Sequence, residues 1–165
     1  MKKLSHESYE KACSFVDKHA RPIDRMYLSY WRGEAQKEDV INELEGYRNE
    51  DGGFGHGLEP DFRLNVSSPM ATTVAFQYMT KLEVPRKHKF VTEGLNYFMN
   101  TYHSTEQMWH AVPEAVNLVP HAPWWHVATE EARYTANPDA EIIGYLLYYG
   151  IHNERTSEML SRVMS

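Results

Sequence analysis

The chain is short of cysteine, of basic charge and of long apolar runs, and each shortage removes a class of protein. Its 165 residues hold a single cysteine, Cys13, which forms no internal disulfide and builds no multi-cysteine zinc site. Acids outnumber bases by 23 to 17, for a formal charge of −6. The one basic run, Arg86-Lys87-His88-Lys89, is brief, so a nucleic-acid partner is disfavoured. The longest apolar stretches, such as Ile142 to Tyr149, fall far below bilayer length, and no signal-type apolar segment follows Met1. A cytoplasmic protein with no integral membrane segment is therefore expected. The phosphate-loop, dinucleotide, zinc-protease and serine-hydrolase strings are missing too.

Rings are what the chain has in plenty. Aromatic residues make up 13%, with 11 Tyr and 4 Trp, and nine His join them. That exceeds what a core of this size asks for and points to an aromatic-lined cavity. The length suits one domain over 1–165, with enough apolar residues for a core of its own.

No long segment shows the alternation of a strand; the periodicity is helical throughout, and the expected fold class is all-α. Helices are expected from Ser5 to His19, from Pro22 to about Gly33, and from about Gln36 to Tyr47. Others follow from Pro69 to about Leu82, from near Pro85 to Tyr102, from Pro138 to Gly150 and from Glu154 to Met164. Two stretches differ in kind. Residues 48–67 carry too many glycines for a helix, and residues 103–136, rich in Trp, His and Pro, read as irregular.

Ser68-Pro69-Met70-Ala71 can be laid over Asn137-Pro138-Asp139-Ala140 at an offset of 69 residues. Val74 then meets Ile143, Ala75 meets Gly144 and Phe76 meets Tyr145, and each copy is preceded by an outer-type helix and a long turn with an aromatic, Phe54 in one and Trp109 in the other. The small pairs Ala71/Ala75 and Ala140/Gly144 would let another helix approach closely. A unit this long, with two helices, is the signature of stacked or circular helical hairpins.

The strongest local motif is Asp51-Gly-Gly-Phe-Gly-His-Gly-Leu-Glu-Pro-Asp61, running into Ser68-Pro69-Met-Ala-Thr-Thr-Val-Ala75. It resembles the repeat of the prenyltransferase and terpene-cyclase (squalene cyclase-like) superfamily, where an acidic-Gly-Gly-Phe-Gly turn joins an outer helix to an inner one. The likeness covers about residues 40–82, and more loosely 90–149. It implies an α/α toroid, two rings of helices around an aromatic-lined cavity, here about two hairpin repeats plus flanking helices. That is half a ring, so self-association or continuation in a longer chain is expected. The physics of the turn stands without the family. Gly52, Gly53, Gly55 and Gly57 allow positive φ and close backbone approach, Phe54 plugs between hairpins, and Asp51 accepts backbone N–H bonds.

The resemblance also implies an isoprenoid or other apolar substrate and chemistry of the transferase or cyclase type. The family's catalytic strings are not found. Its zinc cysteine follows a Trp-Gly-Phe-like segment, whereas Cys13 stands on the first helix; Asp-x-Asp-Asp and Asp-Asp-x-x-Asp are absent. No metal or cofactor is called for. The acids nearest to inner-helix starts are Asp61, Asp139 and Glu141, the candidate catalytic residues, although capping alone would account for the last two. His56 and Glu59 join Asp61 as a possible ligand or acid–base cluster. Tyr78, Tyr145 and the segment His121-Ala-Pro-Trp124-Trp125-His126 are candidate ligand contacts, since Trp rings stack on hydrocarbon and sugar alike. The alternatives to an enzyme are a ligand- or protein-binding module on the same scaffold, and a carbohydrate-active toroid protein.

Overall fold

In the computed structural model, which describes residues 3–128 and 136–164, Ser5 opens α1 (His6–His19) by accepting the Ser8 N–H on its hydroxyl at 3.1 Å. α2 (Pro22–Trp31) starts on proline, and Gly33 beyond it takes a left-handed φ of 75°. α3 (Lys37–Glu45) opens with a reciprocal pair: the Gln36 side chain serves the third residue's N–H, and Asp39 accepts from the Gln36 N–H at 2.8 Å. Contacts divide the chain into two units, Met1–Gly46 and Tyr47–Ser165. In the first, α2 packs on both α1 and α3. Of the apolar face expected on α1 only Cys13 is buried, while Tyr9 and Phe15 stay exposed.

The second unit holds α4 (Pro69–Lys81), α5 (Lys89–Thr101), α6 (Ala136–Tyr148) and α7 (Glu154–Met164). α4 packs on both α5 and α6, and α6 packs on α7. Ser68 caps α4 through the Ala71 N–H at 3.0 Å, with proline at its first position. α6 becomes regular at Pro138, because Asn137 has extended φ/ψ. α5 begins later than its sequence pattern predicts. Residues 85–88 close a turn through His88 N–H to Pro85 O at 2.9 Å, and His88 Nδ1 then accepts the Phe90 N–H. Among the described residues the molecule is all-helical with no strand, only isolated bridges pairing Arg48 with Phe54, Phe62 with His121 and His103 with Met108. None of these helices is long and apolar enough to cross a membrane.

The matched helices α4 and α6 touch directly, with Phe76 and Tyr145 at 5.2 Å between ring centroids. Their small residues behave differently. Ala71 and Ala75 are fully buried, whereas Ala140 is exposed and a Cβ on Gly144 would meet nothing within 4 Å. Close approach through small residues thus holds for α4 and not for α6. A tight fit of another kind joins α4 to α5, where a Cβ on Gly94 would sit 2.5 Å from the Phe76 ring.

The glycine turn is built in two ways. Gly52 and Gly57 take positive φ, 84° and 72°. Gly53 and Gly55 do not, so of the two uses expected for these glycines, positive φ and close backbone approach, they serve only the second. They are needed for space: a Cβ on Gly55 would lie 2.3 Å from Asn65 O, and one on Gly53 2.7 Å from Ser67 Cβ and the Tyr97 ring. Asp51 accepts the Gly53 N–H at 2.9 Å and the Ser67 hydroxyl at 2.7 Å, so the acid organises the turn as its position implies. Phe54 is fully buried, edge-on to Phe90 at 6.3 Å, and its N–H donates to Thr72 Oγ1 at 3.0 Å. Arg48 fastens the turn to α5 by a 2.6 Å bond to Glu93 while lying over the Phe90 ring.

Candidate functional site

The irregular stretch after α5 forms one wall of a cleft of about 610 Å³. Trp109 anchors it. Its indole N–H donates to Phe98 O at 2.7 Å, its ring lies 4.6 Å from Tyr102, and only 1% of it is exposed. Its backbone N–H donates to Asp139 Oδ1 at 3.2 Å. Met70 N–H donates to Ala111 O at 3.0 Å, which ties the same wall to the start of α4. The segment 123–127 supplies the opposite wall through Trp124, Trp125, His126 and Val127, and Asn137 completes the lining.

Proline at the head of the 3-10 turn Pro123–Trp125 sets the backbone of this second wall. Trp125 packs edge-on against Phe62 at 5.7 Å, over a core of Phe62, Leu64, Ala71, Val112 and Val116. Its buried indole Nε1 has no hydrogen-bond partner among the described residues. Trp124 instead is 70% exposed. Asn117 straps the segment down from both sides: its Nδ2 donates to Val127 O at 2.8 Å, and its Oδ1 accepts the Val127 N–H at 2.9 Å.

The imidazoles beside these indoles are ordered by hydrogen-bond logic. His121 Nδ1 lies 2.7 Å from Val119 O, and a carbonyl only accepts, so that nitrogen carries the proton. In the neutral ring His121 Nε2 is then an acceptor, and His126 Nδ1, 3.3 Å away, must be the donor to it. His126 Nε2 is left as an acceptor on a residue that lines the cleft.

The sequence candidates fall into sets held by different partners. Trp124, Trp125 and His126 line the cleft, and His121 is joined to them through its contact with His126. Asp61 approaches it by backbone: Asp61 O accepts the Ala122 N–H at 2.7 Å, and the neighbouring Arg63 N–H donates to Pro120 O at 2.9 Å. The Glu59 carboxylate accepts the Asp61 N–H at 3.2 Å, while the Asp61 residue is exposed. His56 bonds Asn49 of the glycine turn at 2.9 Å. Glu141 accepts from Gln77 at 3.0 Å and from the Tyr145 hydroxyl, on the seam between α4 and α6. Tyr78 is half-buried on α4.

Asp139 and Glu141 stand two apart on one helix, so their side chains project to different faces and act separately. Asp139 is 1% exposed, and burial pushes its carboxyl up to about 6. The Trp109 N–H, Arg162 and His110 oppose that rise. Burial likewise raises the Tyr145 hydroxyl, helped by its bond to Glu141, and raises Tyr149 to about 12.

Sequence reasoning passed over Asn117, His103 and Glu106, and took His110 only as a neighbour of Trp109. Nothing in their spacing marks Asn117 as a strap, while His103-x-x-Glu106-x-x-x-His110 is a pattern that a search for metal ligands would have raised. No protein-family model matches the chain, and no curated protein or solved structure proves similar to it.

Proposed function

We propose that the chain is a toroid-class scaffold of helical hairpins that binds a flat, largely apolar ligand of the isoprenoid kind between Trp109 and the Trp124–Trp125 wall. The observation that carries this reading is Trp125, a cleft residue whose buried indole N–H has no hydrogen-bond partner among the described residues. Buried donors are normally satisfied, so an orphan in a cleft wall favours a ligand atom as its partner. The volume, about 610 Å³, falls in the range of small-molecule sites. The toroid class rests on the Asp51–Gly57 turn and on a similar contact made at different helix positions in the two copies. Phe54 and Trp109, both buried, each donate a backbone N–H to a side chain in the first turn of a proline-started helix.

Binding without turnover is the reading that the acids favour, since Glu59 and Glu141 serve hydrogen bonds of the scaffold. One observation favours catalysis instead: Asp139, with its carboxyl near 6, sits behind Trp109 and is matched to proton transfer near neutral pH. Isothermal titration with farnesol, farnesyl diphosphate and cellotetraose separates the ligand classes. Saturable binding of either prenyl compound is expected. Binding of cellotetraose alone would replace the apolar reading with a carbohydrate one.

A further inference from the structure

The loop between α5 and Trp109 closes on itself. His103 N–H donates to Met108 O at 3.0 Å, Gln107 N–H donates to His103 O at 2.7 Å, and Gln107 takes a φ of 56°. Met108 and Trp109, both buried, root this hairpin, so its base is fixed while its tip faces water. The fold-back sets the rings of His103 and His110 face to face, 4.1 Å between centroids and 7° from parallel. Glu106 lies at the tip, with its Oε2 2.6 Å from His110 Nε2. One donor atom from each of the three side chains lies within 4.8 Å of the other two.

We propose that His103, Glu106 and His110 form a binding site for a divalent transition-metal ion, with zinc(II), nickel(II) and cobalt(II) as the fitting class. Two imidazoles and one carboxylate suit these borderline ions, whereas magnesium and calcium prefer all-oxygen sets. Donors around a tetrahedral ion, each about 2.0–2.1 Å from it, stand roughly 3.3 Å apart, so the side chains must close in and the rings must tilt from parallel. His103 and Glu106 are exposed and His110 half-buried, which leaves them the freedom to turn, while the hairpin keeps their Cα atoms in place. The ion takes the place of the hydrogen bond between His110 Nε2 and Glu106 Oε2. Three protein donors leave coordination positions for water. His110 is also a residue of the indole-lined cleft, so a bound ion adds positive charge at its edge.

The site is independent of what the cleft holds, and its test uses metal alone. The full chain, freed of metal by chelator, is titrated with zinc chloride by calorimetry and with cobalt chloride by visible absorption. One ion per chain is expected, with cobalt d–d bands and no thiolate charge-transfer band from Cys13. His103→Ala, an exposed change that leaves the hairpin bonds intact, is expected to weaken binding about 100-fold, and Glu106→Gln at least about tenfold. His121→Ala is expected to bind like the parent. The proposal is overturned by absence of saturable binding, by a thiolate band, or by affinity that survives His103→Ala, whatever His121→Ala does.

Discussion

Trp109 donates its backbone N–H to the Oδ1 of Asp139 at 3.2 Å, so the aromatic wall of the cleft and the first turn of α6 hold one another. The bond is made by a carboxyl that burial has pushed up to about 6, which means that the position costs stability whenever the group is ionised. A neutral amide would keep the acceptor and lose that cost. Asp139 thus links the cleft, the fold and the pH response of both.

Asp139→Asn is expected to change how stability depends on pH. The folded protein holds this proton more tightly than the unfolded chain, whose carboxyl titrates near 3.8. Well below pH 3.8 the group is neutral in both states and costs nothing; as pH climbs through 3.8 to about 6 ionisation becomes progressively unfavourable to the fold. The gap between variant and parent should open over that window by on the order of 2 kcal/mol in favour of the variant, and stay level above it. Arg162 and His110 act on the carboxyl as partly compensating positive charges. Urea unfolding of both proteins at several pH values measures the gap, and a gap independent of pH would refute the buried carboxyl.

Two glycines of one turn should respond unequally to the same added methyl. Gly57→Ala places a Cβ at positive φ in ordinary space, and its cost should be about 1 kcal/mol. Gly55→Ala drives a Cβ to 2.3 Å from Asn65 O and 2.4 Å from Val66 O, both backbone, and should cost upwards of about 3 kcal/mol. Equal losses in chemical denaturation would contradict the close approach.

Phe54→Ala should lose about 3–5 kcal/mol, because the ring is fully buried against Phe90 and the site has a helix on its far side to keep a cavity open. Thermal unfolding followed by circular dichroism checks this. A shift of less than a degree would make Phe54 a surface residue.

Asn117→Ala removes both bonds that pin Val127 and should loosen the second wall of the cleft. A stability loss of about 1–3 kcal/mol is expected, together with faster amide exchange at residues 124–127. Unchanged exchange there would show that the wall is held by Trp125 packing alone.

The helices were legible because their signals are local. Ser5 and Ser68 are short hydroxyl side chains before an apolar period, and Pro22 and Pro69 sit where a missing N–H costs nothing. The glycine turn was legible as a turn, and its acid was assigned the bond it makes. What distinguishes Gly55 from Gly57 was not, because φ and a neighbour's carbonyl are set by the fold around them. The cleft was half legible. Trp124 and Trp125 stood out by composition, but the partners of Trp109 lie on α5 and α6, far along the chain, and hairpin closure alone stacks His103 on His110. Asp139 and Glu141 looked like a pair in sequence and are separated by helical geometry.

The most direct test of the cleft is Trp emission during titration with farnesyl diphosphate. Trp31 belongs to α2 in the other unit, so the Trp31→Ala variant removes its background signal and should leave the response intact. Trp124, at 70% exposure, can be removed at little cost to folding. Saturable quenching in the parent and in Trp31→Ala, lost or at least tenfold weaker in folded Trp124→Ala, is the predicted result. Quenching that persists in Trp124→Ala and disappears in Trp31→Ala would contradict it.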